Sequence, residues 1–222
     1  MAVSESSLQR ARHYEALDPD VRLMLQVRDD NAVAFEELVM RYQGRLITVL
    51  SHTLSDPQQA EDLAQDVFLR VYRARKNYVP GAKFSTWLFT IANNVASNAR
   101  RSKARRKEVN IASRQSGEMP AITLDHLAKA ASGLMPTRLL DKAEMAEVVR
   151  LAMDSLNDRQ RLALLLSKFE GMSYVDIAQT MGISTQAIKS LLSRARGNLR
   201  DILAPYVKDG QKPTTGIGQT ET

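Results

Sequence analysis

The sequence predicts an all-α protein, in which two small helical domains are joined by a flexible linker and the C-terminal domain contains a helix-turn-helix. Apolar residues recur with the three-four spacing of helices, and no stretch alternates for long with the two-residue period of a half-buried strand. Several segments also begin with a capping residue or a proline. With 222 residues, 44% of them hydrophobic, the chain can build one or two domains with hydrophobic cores.

The composition excludes several classes of protein. The chain has no cysteine, which rules out a disulfide framework, thiolate zinc sites and a cysteine nucleophile. His13, His52 and His126 lie far apart, and none forms a pair with the spacing of metal ligands. No run approaches the roughly 18 apolar residues of a membrane span, and the N-terminus lacks the pattern of a signal peptide. We therefore expect a cytoplasmic protein without a metal or another cofactor.

The first two helices are predicted from a proline and two apolar stripes. Asp18-Pro19 offers a cap followed by a proline at the first helical position, and the helix that follows carries Leu23, Met24 and Val27. The apolar stripe of the next helix consists of Phe35, Leu38, Val39, Tyr42, Leu46 and Val49. Such stripes are typical of helices that pack against a core.

A third helix begins at Asp56-Pro57, where Gln59 can reach back to the cap. Its apolar stripe consists of Ala60, Leu63, Ala64, Val67, Phe68, Val71 and Tyr72. The opposite face is acidic with one leucine and consists of Glu61, Asp62, Gln65, Asp66 and Leu69. Spacing alone leaves two interpretations open for this face, which is either solvated or a docking surface for a basic partner.

A loop at 76–83 contains Pro80-Gly81 and leads into a helix from Phe84 to Arg101. The predicted buried stripe of this helix is Phe84, Leu88, Ile91, Ala92, Val95 and Ala99. The remaining face is polar with one aromatic residue and comprises Ser85, Thr86, Phe89, Asn93, Asn94, Ser97, Asn98 and Arg101. Amides can read base edges, and aromatic rings can stack on unpaired bases. The alternative is that Trp87 and Phe89 only pack in the core.

Positive charge is concentrated in one block. From Val67 to Lys107 there are eleven Lys and Arg residues and no acidic residue, which gives this block a charge of +11. Because the net charge of the whole chain is +6, the remaining residues together carry −5. This block predicts a phosphate-binding face. A solvated basic face without a partner is the alternative.

Periodicity is lost over residues 108–143, which contain two glycines and two prolines and are predicted to form a linker with one short helix near 124–130. A second domain begins near residue 144, with one helix to about Met153. A second helix follows the cap Asn157, and its inward residues are Leu162, Leu165, Leu166 and Phe169. The tail of the chain is predicted to be disordered.

The helix-turn-helix occupies residues 173–192. Ser173 and Ser184 can cap its two helices, and Gly182 suits the positive φ of the turn between them. The default partner of such a motif is duplex DNA. An ordinary helical hairpin would need the same caps and the same glycine.

Several separated motifs resemble the extracytoplasmic function (ECF) subfamily of bacterial RNA polymerase sigma factors. The matching stretches lie at 34–38, 60–69, 84–88, 91–94, 170–178, 181–184, 188–190 and 194–196, and the match spans about residues 30–203. The resemblance implies an N-terminal extension (1–20), a region 2 domain (21–107), a linker (108–143), a region 4 domain (144–205) and a tail (206–222). The linker is expected to extend toward the polymerase active centre.

The resemblance also implies residue roles. The face that binds the β′ subunit of core polymerase would be Glu61, Asp62, Gln65, Asp66 and Leu69. The −10 promoter strand would contact Asn77, Lys83, Ser85, Thr86, Asn93, Asn94, Asn98 and Arg101. The −35 element would contact Thr185, Gln186, Lys189, Ser190, Arg194 and Arg196. The implied partners are core polymerase (β′ and β) and promoter DNA, with an anti-sigma factor as a further candidate, and the chain itself is not expected to be an enzyme.

Three positions depart from the family's pattern. Leu191 stands where Arg often follows Lys-Ser, so we expect one base or phosphate contact to be missing or replaced. Asn98 stands where Asp is common, which removes a negative charge from the strand-facing helix. Asn157 replaces a proline but can still cap its helix.

Two other classes remain open. A stand-alone helix-turn-helix regulator would bind its operator without polymerase, whereas a sigma factor of this kind needs core polymerase for tight, specific binding. A DNA recombinase would need an α/β catalytic half with a Ser or Tyr nucleophile, which the helical periodicity before residue 107 argues against.

Overall fold

The computed structural model describes residues 5–54, 57–113 and 147–209, and its regular structure within these ranges is helical, as the sequence predicts. The helices are α1 (Glu5–Leu17), α2 (Pro19–Arg28), α3 (Ala32–Leu54), α4 (Pro57–Ala74), a 3-10 turn (Arg75–Asn77), α5 (Phe84–Ser113), α6 (147–154), α7 (Asp158–Lys168), α8 (Tyr174–Met181) and α9 (Thr185–Asp209). Most of the predicted linker, with its short helix, lies outside the described residues, as does the tail from 210.

The described residues form two compact units. One contains the residues up to Arg101 together with Asn157–Ala195, and the other contains those of Ser102–Leu156 and of Arg196 onward. Every residue of the predicted site except Arg196 belongs to the first unit.

The core of the first unit lies between amphipathic helices. α3 packs against both α2 and α4, and its stripe buries Leu38, Leu46 and Leu50 almost completely. α5 contributes Phe84 and Leu88 to the same core. Phe89 is only 1% exposed, so its prediction as an outward-facing aromatic is wrong and the alternative of core packing is confirmed.

Asp18 and Asp20 make hydrogen bonds that stabilise the start of α2 and join it to α3. Asp18 caps α2 as predicted, since its Oδ1 accepts from the backbone N–H of Asp20 at 2.9 Å. Asp20 in turn accepts from the Tyr42 hydroxyl (2.6 Å) and pairs with Arg41 (2.5 Å). Burial, and then the hydrogen bond to Asp20, raise the pKa of Tyr42 well above its ordinary value of 10.0.

Local capping signals set the limits of α7 and α8. Asn157 and Gln160 form a capping box at the start of α7, and Ser173 and Asp176 form another at the start of α8. Gly182 ends α8 in the left-handed conformation with φ 65°, and the Ser184 hydroxyl accepts from the backbone N–H of Ala187 at 3.2 Å. The predicted helix-turn-helix is therefore present.

Phe169 does not face inward as predicted, because its side chain is 63% exposed. It stands at the C-cap of α7, where the chain turns through Gly171 at φ 61°. Met172, which follows that turn, is buried instead.

Three helical stretches extend beyond the predicted elements. α5 continues past Arg101 to Ser113, and no glycine or proline that would end it occurs before Gly117. α9 continues past residue 205 to Asp209 and ends just before Gly210 in the sequence. α1 lies in the segment 1–20, for which the sequence analysis predicts only an extension.

Candidate nucleic-acid interface

The first turns of α9 present a row of polar side chains on a firmly packed helix. Ile188, Leu192 and Ala195 are buried and hold the start of α9 against the first unit. The opposite face carries the predicted −35 residues, of which Thr185 is half-buried and the others are exposed: Gln186, Lys189, Ser190, Arg194 and Arg196. A shallow depression of about 350 Å³ lies among Lys189, Ser190, Ser193 and Arg194. Leu191 is half-buried beside this face and does not belong to the exposed row.

The predicted −10 residues divide into an open group and a covered group. Asn77, Asn94, Asn98 and Arg101 are exposed, and Arg101 donates to the Asn98 side chain at 2.6 Å. Ser85 is half-buried beside a depression that also includes Lys83, Ser173 and Asp176.

Thr86 and Asn93 form the covered group, because both contact α8, and Lys83 contacts α8 as well but its side chain stays 54% exposed. The Thr86 hydroxyl donates to Asp176 at 3.2 Å, and Lys83 Nζ lies 3.8 Å from the same carboxylate. The Asn93 amide donates to the backbone carbonyl of Thr180 at 3.3 Å. Thr86 is 0% exposed. Its prediction as an outward-facing residue is therefore wrong for this conformation, because α8 covers it.

Asp176 and Thr180, which the predicted site does not include, contact its residues Thr86 and Asn93. Asp176 Oδ2 accepts from the Ser173 hydroxyl at 2.7 Å as part of the helix cap, while Oδ1 accepts from Thr86. The hydroxyl of Thr180 donates to the Thr86 carbonyl at 3.4 Å. An acidic residue three positions after Ser173 predicts the cap, but no local signal predicts the contact with α5.

The loop before α5 is anchored by aromatic packing. The ring of Tyr78 lies 4.8 Å from that of Trp87, which is half-buried, and the Phe84 ring is 6.1 Å from Trp87. Burial raises the pKa of the Tyr78 hydroxyl above its ordinary value. The loop is thus held at Tyr78, while its neighbours Asn77 and Val79 are exposed.

Internal ion pairs neutralise part of the basic block. Arg75 and Lys76 both pair with Asp30, and their hydrogen bonds hold the pKa of that carboxyl below its usual value. Arg70 pairs with Asp66 at 3.0 Å, and Arg100 with Asp158 at 3.1 Å. Near the end of the block, Arg101, Lys103 and Arg105 are exposed cations on α5.

The acidic face of α4 borders an apolar groove. Glu61, Asp62 and Gln65 are exposed, and Leu69 is 53% exposed. The groove has a volume of about 510 Å³ and is lined by Phe35, Val39, Gln43, Ile47, Glu61, Ala64, Gln65, Phe68 and Leu69. Exposed apolar surface rimmed by polar groups is typical of a protein docking site.

The described residues contain neither a metal-binding cluster nor a membrane-spanning helix. Among them, no group of His, Asp and Glu side chains is arranged to hold a metal ion. None of the described helices combines the length and the apolar character needed to span a bilayer.

Comparison with known proteins identifies the family. Sigma-70 region 2 matches residues 38–106, and Sigma-70, region 4 matches residues 146–199. Over 192 residues the chain is 31% identical to the RNA polymerase sigma-H factor of Pseudomonas aeruginosa, covering 86% of this chain and 97% of that protein. The chain belongs to the RNA polymerase sigma factors. The ECF RNA polymerase sigma-E factor of Escherichia coli K12 is 27% identical over 192 residues, covering 85% and 96% of the two chains.

A solved structure has the same fold as this sigma factor. It is the sigma factor RpoE of Bartonella quintana in complex with the anti-sigma factor NepR, with a TM-score of 0.54 and 24% identity, and the match covers 77% of this chain and 96% of that chain. The predicted membership of the ECF subfamily, the all-α class and the function of a polymerase sigma factor in promoter-specific transcription are confirmed.

Proposed function

We propose that this sigma factor divides promoter recognition between α9, which contacts the −35 element, and the loop and helix at 77–101, which hold the −10 strand. The observation that carries the proposal is the exposed row of Gln186, Lys189, Ser190 and Arg194, which is backed by fully buried residues. A packed helix with amide and cationic side chains at its start fits the major groove, where such groups discriminate between base pairs.

The −10 assignment rests on the asparagines of α5 and the cations beyond them. Asn94 and Asn98 present amides that can pair with an unstacked base, and the exposed Arg101, Lys103 and Arg105 continue along the helix toward a phosphate backbone. Holding an extruded base offsets the few kcal/mol of unstacking. The chain would thus favour promoter melting without covalent chemistry of its own, and core polymerase would supply catalysis in the cytoplasm.

Core polymerase would dock on the acidic face and groove of α4. Glu61, Asp62 and Asp66 complement a basic partner, and the exposed Leu69 beside the groove provides apolar area that docking would bury. Because the solved RpoE of similar fold is bound to an anti-sigma factor, a restraining protein is a candidate partner here as well.

Run-off transcription with purified core polymerase on a randomised promoter library tests these assignments. We expect transcripts that depend on both core and this chain, with enriched bases at −35 and −10. Lys189→Ala should change the enrichment at −35 only, and Asn94→Ala that at −10 only, while Lys168→Ala on the exposed end of α7 is the matched control. Binding to enriched promoter duplexes without core would instead favour a stand-alone regulator.

A further inference from the structure

Asp30, in the turn between α2 and α3, has the left-handed backbone conformation, with φ 67°. Within the described part of the chain it is the one residue other than glycine with a positive φ. Such a conformation persists where its surroundings determine it, and it is a reason to look for a function. Here the N–H of Asp30 donates to the Val27 carbonyl at 3.0 Å, and the next residue, Asn31, caps α3 by accepting from the N–H of Val33.

The Asp30 carboxylate contacts two cations at the beginning of the loop at 76–83, here called the −10 loop. Arg75 Nε donates to Oδ1 at 3.2 Å, and Lys76 Nζ donates to Oδ2. Both cations come directly before Asn77, the first of the proposed −10 residues. The ion pairs therefore join the turn after α2 to the point where the −10 loop begins.

The two cations are held to different degrees. Arg75 also donates to the Tyr72 carbonyl at 2.9 Å, and its guanidinium lies 3.9 Å from the centre of the Tyr72 ring, a cation–π contact. The side chain of Lys76 is 53% exposed, and Asp30 is its ion-pair partner. Loss of the charge on Asp30 would therefore leave Arg75 in place and release Lys76.

The other end of the −10 loop is also fixed from α2. Asp18, which caps α2, accepts the backbone N–H of Phe84 at 2.9 Å, where the loop ends. α2 has 10 residues, so it is about 15 Å long, and it packs against the 3-10 turn. Between the two ends, Tyr78 is buried against Trp87. The loop that presents Asn77 is thus held at its beginning, its middle and its end.

We infer that Asp30 is a positioning residue of the −10 loop, which fixes the beginning of the loop and neutralises a lysine that would otherwise bind the DNA backbone. The inference rests on the proposed −10 function of this loop. Base discrimination requires hydrogen-bonding groups at fixed positions. An unpaired lysine beside the strand binds the phosphates of every sequence equally. Asp30 thus lowers the affinity for DNA in general and increases the discrimination between bases.

Asp30→Asn tests the inference, because asparagine tolerates a positive φ and carries no charge. Holoenzyme reconstituted with core polymerase is titrated with labelled single strands that carry the −10 sequence enriched from the promoter library, or single-base variants of it. We expect the affinity for the single-base variants to rise roughly fivefold at about 0.1 M salt, with a salt dependence steeper by about 0.7, since one cation is released. Affinity for the enriched strand should change little, so that discrimination falls roughly fivefold.

Lys76→Gln separates the two effects of Asp30. In the double variant Asp30→Asn with Lys76→Gln, the gain in affinity and the steeper salt dependence should disappear, while the loss of discrimination remains. Asp30→Gly is a second variant, since glycine adopts a positive φ at no steric cost, and it should match Asp30→Asn. Asp154→Asn is the matched control, because it removes an exposed carboxylate that pairs with Arg150 at 3.1 Å and changes the net charge equally.

The position of the loop can be followed in the free protein by fluorescence. The chain has one tryptophan, Trp87, whose ring lies 4.8 Å from that of Tyr78 in the −10 loop. Quenching by acrylamide should be stronger in Asp30→Asn and Asp30→Gly than in the wild type, and unchanged in Asp154→Asn. Circular dichroism establishes that each variant is folded.

Unchanged discrimination, or unchanged quenching, in both variants of Asp30 would overturn the inference. So would an equal loss of affinity for every strand, which is the result expected if Asp30 served the stability of the fold alone. If the wild type enriches bases at −10 and the variants discriminate equally well, the proposed −10 function stands and the inference fails. If the wild type enriches no base at −10, the proposed function fails and the inference fails with it.

Discussion

The Asp18 carboxylate accepts the backbone N–H of Phe84 at 2.9 Å, across 66 residues of sequence. The same side chain caps α2 through Asp20. One carboxylate thus satisfies orphan donors at the starts of two helices, and it fixes the position where α5 begins relative to the core.

Asp18→Ala should therefore destabilise the protein by about 2 kcal/mol, since loss of one cap typically costs about 1 kcal/mol. Urea unfolding followed by circular dichroism measures the change. Asp18→Asn keeps one acceptor oxygen and should cost less, and Asp29→Ala at an exposed position is the control. Equal stability of the Asp18 and Asp29 variants would contradict the double cap.

The contribution of Tyr42 to the stability of the folded protein should become measurable at alkaline pH. Its pKa is raised in the folded protein, so the unfolded chain releases the proton near pH 10 while the folded chain retains it. The associated stability is complete below pH 10 and is lost as the pH rises above that value, at about 1.4 kcal/mol per pH unit for one proton. Tyr42→Phe should reduce this slope in urea titrations between pH 9 and 11, and Tyr72→Phe at a 40% exposed position is the control. An unchanged slope in Tyr42→Phe would contradict the assignment.

Lys189 and Arg194 of α9 are expected to make different kinds of contact with DNA. In the holoenzyme, Lys189→Ala should cost about 1 to 3 kcal/mol of discrimination among −35 sequences, because a base contact is lost. Arg194→Ala should weaken all promoters similarly and reduce the salt dependence by about one ion, as expected for a phosphate contact. Binding to a panel of −35 duplex variants at several salt concentrations separates the two, and core affinity should remain unchanged in both. Identical promoter preferences for wild type and Lys189→Ala would count against the −35 role.

Leu69 should anchor core polymerase. Leu69→Ala removes an exposed apolar side chain at the groove and should lower core affinity about tenfold, or about 1.4 kcal/mol, because less apolar area is buried on docking. Titration of the labelled chain with core polymerase gives the value. Met40→Ala, at a 71% exposed position on α3 that does not line the groove, is the matched control; equal losses in both variants would argue against the anchor.

Local features of the fold could be predicted from the sequence because their causes are local. Asn157, Ser173 and Gly182 act within a few residues of their position, so capping rules predict them. Amphipathic stripes predicted most of the core in the same way. Phe169 was missed because the turn at Gly171, rather than helical spacing, decides which side chain is buried there.

The cover over α5 could not be predicted, because its partners are distant in sequence. Thr86 and Asp176 are 90 residues apart, and each has an adequate local interpretation: a polar residue on an outer helix face, and an acidic residue of a helix cap. The family resemblance assigned Thr86 to DNA without the competing carboxylate, which only the three-dimensional arrangement reveals.

The shared use of Asp176 has a genetic consequence. Its carboxylate completes the first turn of α8 through Ser173 and also reaches Thr86, so substitutions at Ser173 and Thr86 act on one group and should not be additive. Epistasis between these two positions would then link the coding region of α8 to that of α5. A chimaera that exchanges one domain for that of a relative would inherit only half of this pair.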